Sequence, residues 1–140
     1  MSAGTGIAHS EYNLEDVTTK IFQIWIIPNQ VGLAPSWGAK PFPKGARAGQ
    51  FVILASGHES DTDALPIRAD ARLVAATLTA GQSAEYPLGR LRKGYLVAAK
   101  GLIEVNGISA GERDGIAISG EEVVRVTALE DSEVILVDVA

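Results

Sequence analysis

The chain has 140 residues and a mass of 14.7 kDa, the size of one ordinary domain. Lys and Arg total 12 against 17 Asp and Glu, so the net charge is −5, and no basic tail offers itself to nucleic-acid phosphates. Cysteine is absent, which excludes disulfides, zinc–thiolate sites, iron–sulfur clusters and cysteine nucleophiles. No apolar run approaches the ~20 residues of a membrane-spanning helix. The first residues lack the basic and apolar regions of a secretory signal, so the cytoplasm is the expected location.

In chain order, Asn13 is placed to open a helical turn or two over Leu14–Thr19. No longer helix is expected, because no apolar period of 3.6 residues is sustained. Ile21–Ile27 (IFQIWII) is the strongest strand pattern and is closed by Pro28. Its two faces, Phe22/Ile24/Ile26 and Gln23/Trp25/Ile27, are both largely apolar, which predicts burial on both sides. Residues 31–44, with Pro35, Pro41 and Pro43, lack periodicity and read as a linker. Strand runs follow at Phe51–Ala55, Arg72–Leu78, Tyr95–Ala99, Leu102–Val105, Gly115–Ile118, Val123–Thr127 and Val134–Val139. Asn106-Gly107 predicts a two-residue hairpin turn before Ile108, since both turn positions need positive φ. Short strands at this spacing, without crossover helices, predict an all-β antiparallel sandwich or barrel. The expected units are an N-terminal arm (1–30), the linker (31–44) and a β-domain (45–140).

Few residues suggest chemistry. Arg90, Arg92 and Lys93 form a small basic cluster, read as a solvated turn or an anion site. His58-Glu59 reads as a solvated loop pair. Tyr86 and Tyr95 are candidate inward or rim residues of the β-domain. No G-x-S-x-G frame is present, and Ser10 would face away from its neighbours His9 and Glu11 on a strand.

Several stretches taken together resemble one family. They are MSAGTGIAHSE (1–11), QIWIIP (23–28), LPI (65–67), DARL (70–73), AGQS (80–83), EYP (85–87) and GLIEVNG (101–107). The chain resembles the pirins, two-cupin proteins that include bacterial quercetin 2,3-dioxygenases. The likeness runs over essentially the whole chain and aligns it with the end of the first cupin and all of the second. A shortened gene, a misassigned start codon and a deliberate fragment would each place Met1 where it stands.

The resemblance implies a cupin-type double-stranded β-barrel, jelly-roll-like, preceded by a strand-forming arm. It also implies one metal ion, usually iron, held in the first cupin by three His and one Glu. Two of those ligands belong to an upstream HxH pair and two to the HSE motif, here His9 and Glu11. Residues i and i+2 of a strand share a face, and imidazole with carboxylate suits iron or another divalent metal. The HxH pair is not among these residues, and nothing after His58 supplies another His.

Two functions stay open. One is a metal-poor binding or interaction module with no firm metal or cofactor of its own. The other is a metal-dependent quercetin 2,3-dioxygenase-type oxidoreductase whose missing His ligands come from a longer chain or a partner, with Glu11 as ligand and catalytic base. The double-sided apolar strand at Trp25 predicts a homodimer through the N-terminal strands, which could also gather two His9/Glu11 pairs. Pirins are described as transcription cofactors, so a protein partner is a further expectation. Direct nucleic-acid or membrane binding is not expected.

Overall fold

The computed structural model describes residues 1–140. Ten strands form: β1 (Val52–Ser56), β2 (Leu65–Pro66), β3 (Ala71–Leu78), β4 (Ser83–Pro87), β5 (Lys93–Lys100), β6 (Ile103–Val105), β7 (Ile108–Ala110), β8 (Gly115–Ser119), β9 (Val123–Ala128) and β10 (Ser132–Val139). They build two sheets, ordered β2-β1-β3-β10-β5-β8 and β4-β9-β6-β7. Every pairing is antiparallel except the short β1–β2 contact. No helix is long and apolar enough to cross a membrane.

Alternation decides which side chains meet between the sheets. In β10 the buried residues are Ser132, Val134, Leu136 and Asp138. Register places Leu136 opposite Val74 of β3 and Leu96 of β5, and Leu96 opposite Ile116 of β8. From the other sheet come Ala84, Tyr86, Val124, Val126, Ile103 and Val105, completing one core. The outer faces differ. The four-stranded sheet carries Ser83, Glu85, Glu104, Arg125 and Thr127 outward, with Arg125 paired to Glu85. The six-stranded sheet carries Leu73, Val97, Ile135 and Val137 outward, all half-buried.

The expected strands of the β-domain are present, within a few residues at each end. At the β6–β7 hairpin, Asn106 and Gly107 have φ of 47° and 87°, both positive as the two-residue turn requires. Strands β2 and β4 were not expected as separate strands. A 3-10 turn at Lys44–Arg47 ends the linker. Arg47 ties it to β3 and β10 through Thr77 and Glu133.

The arm departs from expectation. Ile21–Ile27 forms no strand, and residues 1–50 hold no β element beyond isolated bridges at Ser2–Ser36 and Ala48–Thr77. Trp25 is 85% exposed and Ile27 91% exposed. The reason is one of partners. A strand needs a neighbour for its backbone N–H and C=O groups, and none of this chain's strands runs beside Ile21–Ile27. Polar contacts tie the arm to the β-domain at single points: Asn29 N donates to the Arg68 carbonyl and Lys20 meets Glu112, while Arg68 donates to the Ala34 carbonyl of the linker. Leu14–Thr19 is not helical either. The Asn13 side chain accepts from Glu15 N and Thr19 Oγ1 and donates to the Val17 carbonyl, holding a bend in place of a helical turn.

Candidate metal half-site and the charged end of the barrel

His9 and Glu11 lie outside any strand or helix. The i, i+2 relation still brings them together, with His9 Nε2 3.9 Å from Glu11 Oε1. Both side chains are largely exposed, at 41% and 60%. Together they offer one imidazole nitrogen and one carboxylate oxygen, a donor pair that suits first-row divalent metals. The structure gathers no third His, Cys, Asp or Glu around them. Two donors are half of a usual ligand set.

A second concentration of chemistry joins Arg92, Tyr86 and His58 to the carboxylates of Asp70 and Asp138. It lies where the inner face of the six-stranded sheet reaches the end of the core. Register sets Asp138 of β10 opposite Arg72 of β3 and Gly94 of β5. Asp138 is 1% exposed. Its Oδ2 accepts from the Tyr86 hydroxyl at 2.6 Å, and its Oδ1 accepts from Arg92 Nε. Arg92 Nη1 also donates to Asp70 Oδ1 at 2.9 Å. Beside this chain, Arg72 Nε donates to Asp61 Oδ2 at 2.7 Å, and the same oxygen accepts from Ser56 Oγ at 2.6 Å.

His58 closes the group, its Nε2 sealed from solvent and 3.3 Å from Asp70 Oδ1 without meeting hydrogen-bond geometry. His58 keeps its expected place in a loop with a side chain 31% exposed, and Glu59 is exposed, but the His58 Nε2 is turned out of solvent. Beside it in the β1–β2 loop, Gly57 lies against the Ala69 carbonyl where no Cβ fits. The basic cluster likewise divides. Arg92 is drawn into the barrel end, whereas Arg90 stays exposed beside Glu122. Tyr86 is core, and Tyr95 is half exposed on the outer face.

The electrostatics follow from this geometry. The hydrogen bonds from Arg72 and Ser56 hold the Asp61 carboxyl down at about 2. The Arg92 hydrogen bond lowers Asp70 in the same way. Burial, reinforced by the hydrogen bond to Asp138, pushes the Tyr86 phenol up, so it stays a donor at any physiological pH. Each arginine in the group is already committed to a carboxylate. The barrel end is a closed set of ion pairs, with no metal-type cluster in it. The missing signal in the sequence was distance: Asp61, Asp70, Tyr86, Arg92 and Asp138 are spread over 78 positions, and only the packing of loops and facing sheets collects them.

Two facing antiparallel sheets around one core are consistent with a cupin-type jelly roll. Residues 53–139 match the quercetinase C-terminal cupin domain, and the chain belongs to that pirin-type family. It is 61% identical over all its 140 residues to a pirin-like protein of Caulobacter vibrioides. It is 32% identical over 139 residues to the quercetin 2,3-dioxygenase of Escherichia coli K12. The chain spans about 60% of the length of these curated relatives. Among solved structures it is similar to the Escherichia coli pirin YhhW, with a TM-score of 0.75 and 25% identity. That match covers 83% of this chain and 48% of YhhW. YhhW has also been solved in complex with nickel(II).

Proposed function

We propose that these 140 residues act as the metal-poor part of a quercetinase-type pirin. The β-domain is a rigid binding and interaction module. His9 and Glu11 are two ligands of a metal centre whose other ligands lie outside this sequence. The observation that carries the reading is the His9–Glu11 pair: two suitable donors side by side, exposed, with no third donor near them. The nickel(II) complex of YhhW and the dioxygenase name of the Escherichia coli relative support the family's metal chemistry. When bound, the metal would supply Lewis acidity toward an oxygen-bearing substrate. The protein's part is to hold it through His9 Nε2 and a Glu11 oxygen. The exposed apolar residues Ile21, Trp25 and Ile27 suit a surface covered by whatever element brings the missing ligands.

Equilibrium dialysis with iron(II) or nickel(II), alongside quercetin consumption, tests this. The chain alone should bind metal weakly, should lose that binding in His9→Ala and Glu11→Gln, and should not turn over quercetin above a metal-only blank. Sustained turnover that disappears in His9→Ala would overturn the non-catalytic reading and establish the dioxygenase alternative for this chain.

A further inference from the structure

The two sheets have four edges, and three of them are guarded against pairing with another chain. β2 is two residues long and ends in Pro66. β7 is three residues long. β4 carries Glu85 and ends in Pro87. Short length, charge and proline are the usual protections of an exposed edge. β8 has none of them. It is Gly115-Ile116-Ala117-Ile118-Ser119, five residues without charge or proline, and it pairs with β5 without a bulge. Apart from that ladder, its backbone makes no hydrogen bond within the chain. In an antiparallel pair alternate residues direct their N–H and C=O away from the partner, so β8 presents a free row of both.

We propose that β8 pairs with β8 of a second copy, antiparallel about a two-fold axis at Ala117. The sequence around Ala117 is symmetric in the way such an axis demands. Ile116 falls opposite the other copy's Ile118, and the reverse. Both are inward-facing, Ile118 buried and Ile116 packed against the core, so pairing would extend the two cores toward each other. Farther out, the same axis brings Arg113 toward Glu121 of the other copy, twice per dimer. These charges are opposite and favour this register; the like pair it sets one position farther out, Glu112 and Glu122, is met within each copy by Lys20 and Arg90. The two six-stranded sheets would become one of twelve strands.

The absence of cysteine gives a register-specific test. Ala117 is exposed on the outer face, and Ala117→Cys would be the only thiol in the chain. The axis places residue 117 opposite itself at roughly 4.5–5.5 Å between Cα atoms, within disulfide reach. Residue 119 would be displaced from its own counterpart by four residues, about 13 Å along the strand. Under mild oxidation Ala117→Cys should therefore crosslink at least about ten times faster than Ser119→Cys, whose separation lies beyond disulfide reach. Arg113→Glu should weaken the dimer by about five-fold, and adding Glu121→Arg should restore it, as two exposed ion pairs would. Equal crosslinking at the two positions, or none at either, would overturn the proposal. A dimer formed through the arm alone would give that overturning result, since it leaves the two thiols equivalent.

Discussion

Ile21–Ile27 and Arg72–Leu78 are comparable as sequences: short, apolar and rich in residues that favour strands. In the structure they part completely. Arg72–Leu78 lies in β3 between β1 and β10, with Val74 and Ala76 fully buried. Ile21–Ile27 forms no strand and leaves Trp25 and Ile27 exposed. Propensity sets the backbone's preference, but a strand exists only where another strand receives its hydrogen bonds. The β-domain finds all of its partners within residues 52–139; the arm does not.

That contrast can be sharpened by substitution. The largest effect should come from the core row shared by β3, β10 and β5. Leu136→Ala should cost about 4 kcal/mol, through lost burial and the cavity left behind. The matching change in the arm, Trp25→Ala, should move the unfolding midpoint of the isolated chain very little, because Trp25 is 85% exposed. Denaturant unfolding followed by circular dichroism reads both. A large loss in Trp25→Ala would show that the arm is part of the cooperative unit.

Next in size is the charged end of the barrel. Arg92→Ala leaves the buried Asp138 with the Tyr86 hydroxyl as its one remaining side-chain partner and should cost about 3 kcal/mol. Tyr86→Phe removes a single hydrogen bond and should cost about 1 kcal/mol. A double-mutant cycle between the two should show coupling, since both donors serve the same carboxylate.

Acid offers a subtler probe. Asp61 titrates lower in the folded chain than its ordinary 3.8, so it binds a proton more readily when unfolded. Its stabilising contribution is complete above about pH 4 and is lost as pH falls toward 2. Asp61→Asn should flatten the fall in stability across that window while leaving the His9–Glu11 pair untouched. An unchanged acid slope would mean that other carboxylates set it. The smallest effect on stability belongs to His9→Ala, which should leave the unfolding midpoint in place while abolishing weak metal retention.

How much of this was legible depended on the range of the cause. Asn106-Gly107 could be read directly, because a turn needs only its own two residues. The alternation in β9 and β10 could be read because a strand's faces follow from its own order. His9 and Glu11 were legible as the HSE motif of the pirin resemblance, and a spacing of two residues is a local relation. The ion-pair group was not legible: Asp61 reaches Arg72 from the β1–β2 loop and Tyr86 reaches Asp138 across the two sheets, and single residues along the chain give no sign of either contact. The strand expected at Ile21–Ile27 failed for the same reason, since its missing neighbour is not a property of those seven residues.

By itself, then, the sequence determined the all-β class, the main strands of the β-domain, its hairpin and its family likeness, all consequences of short-range pattern. Tertiary structure alone decided which strands found partners, which edge was left open at β8, and which charges met at the barrel end. Hydrogen-bond pairing and burial depend on what lies alongside in space, and two sheets place side by side residues that the chain holds far apart.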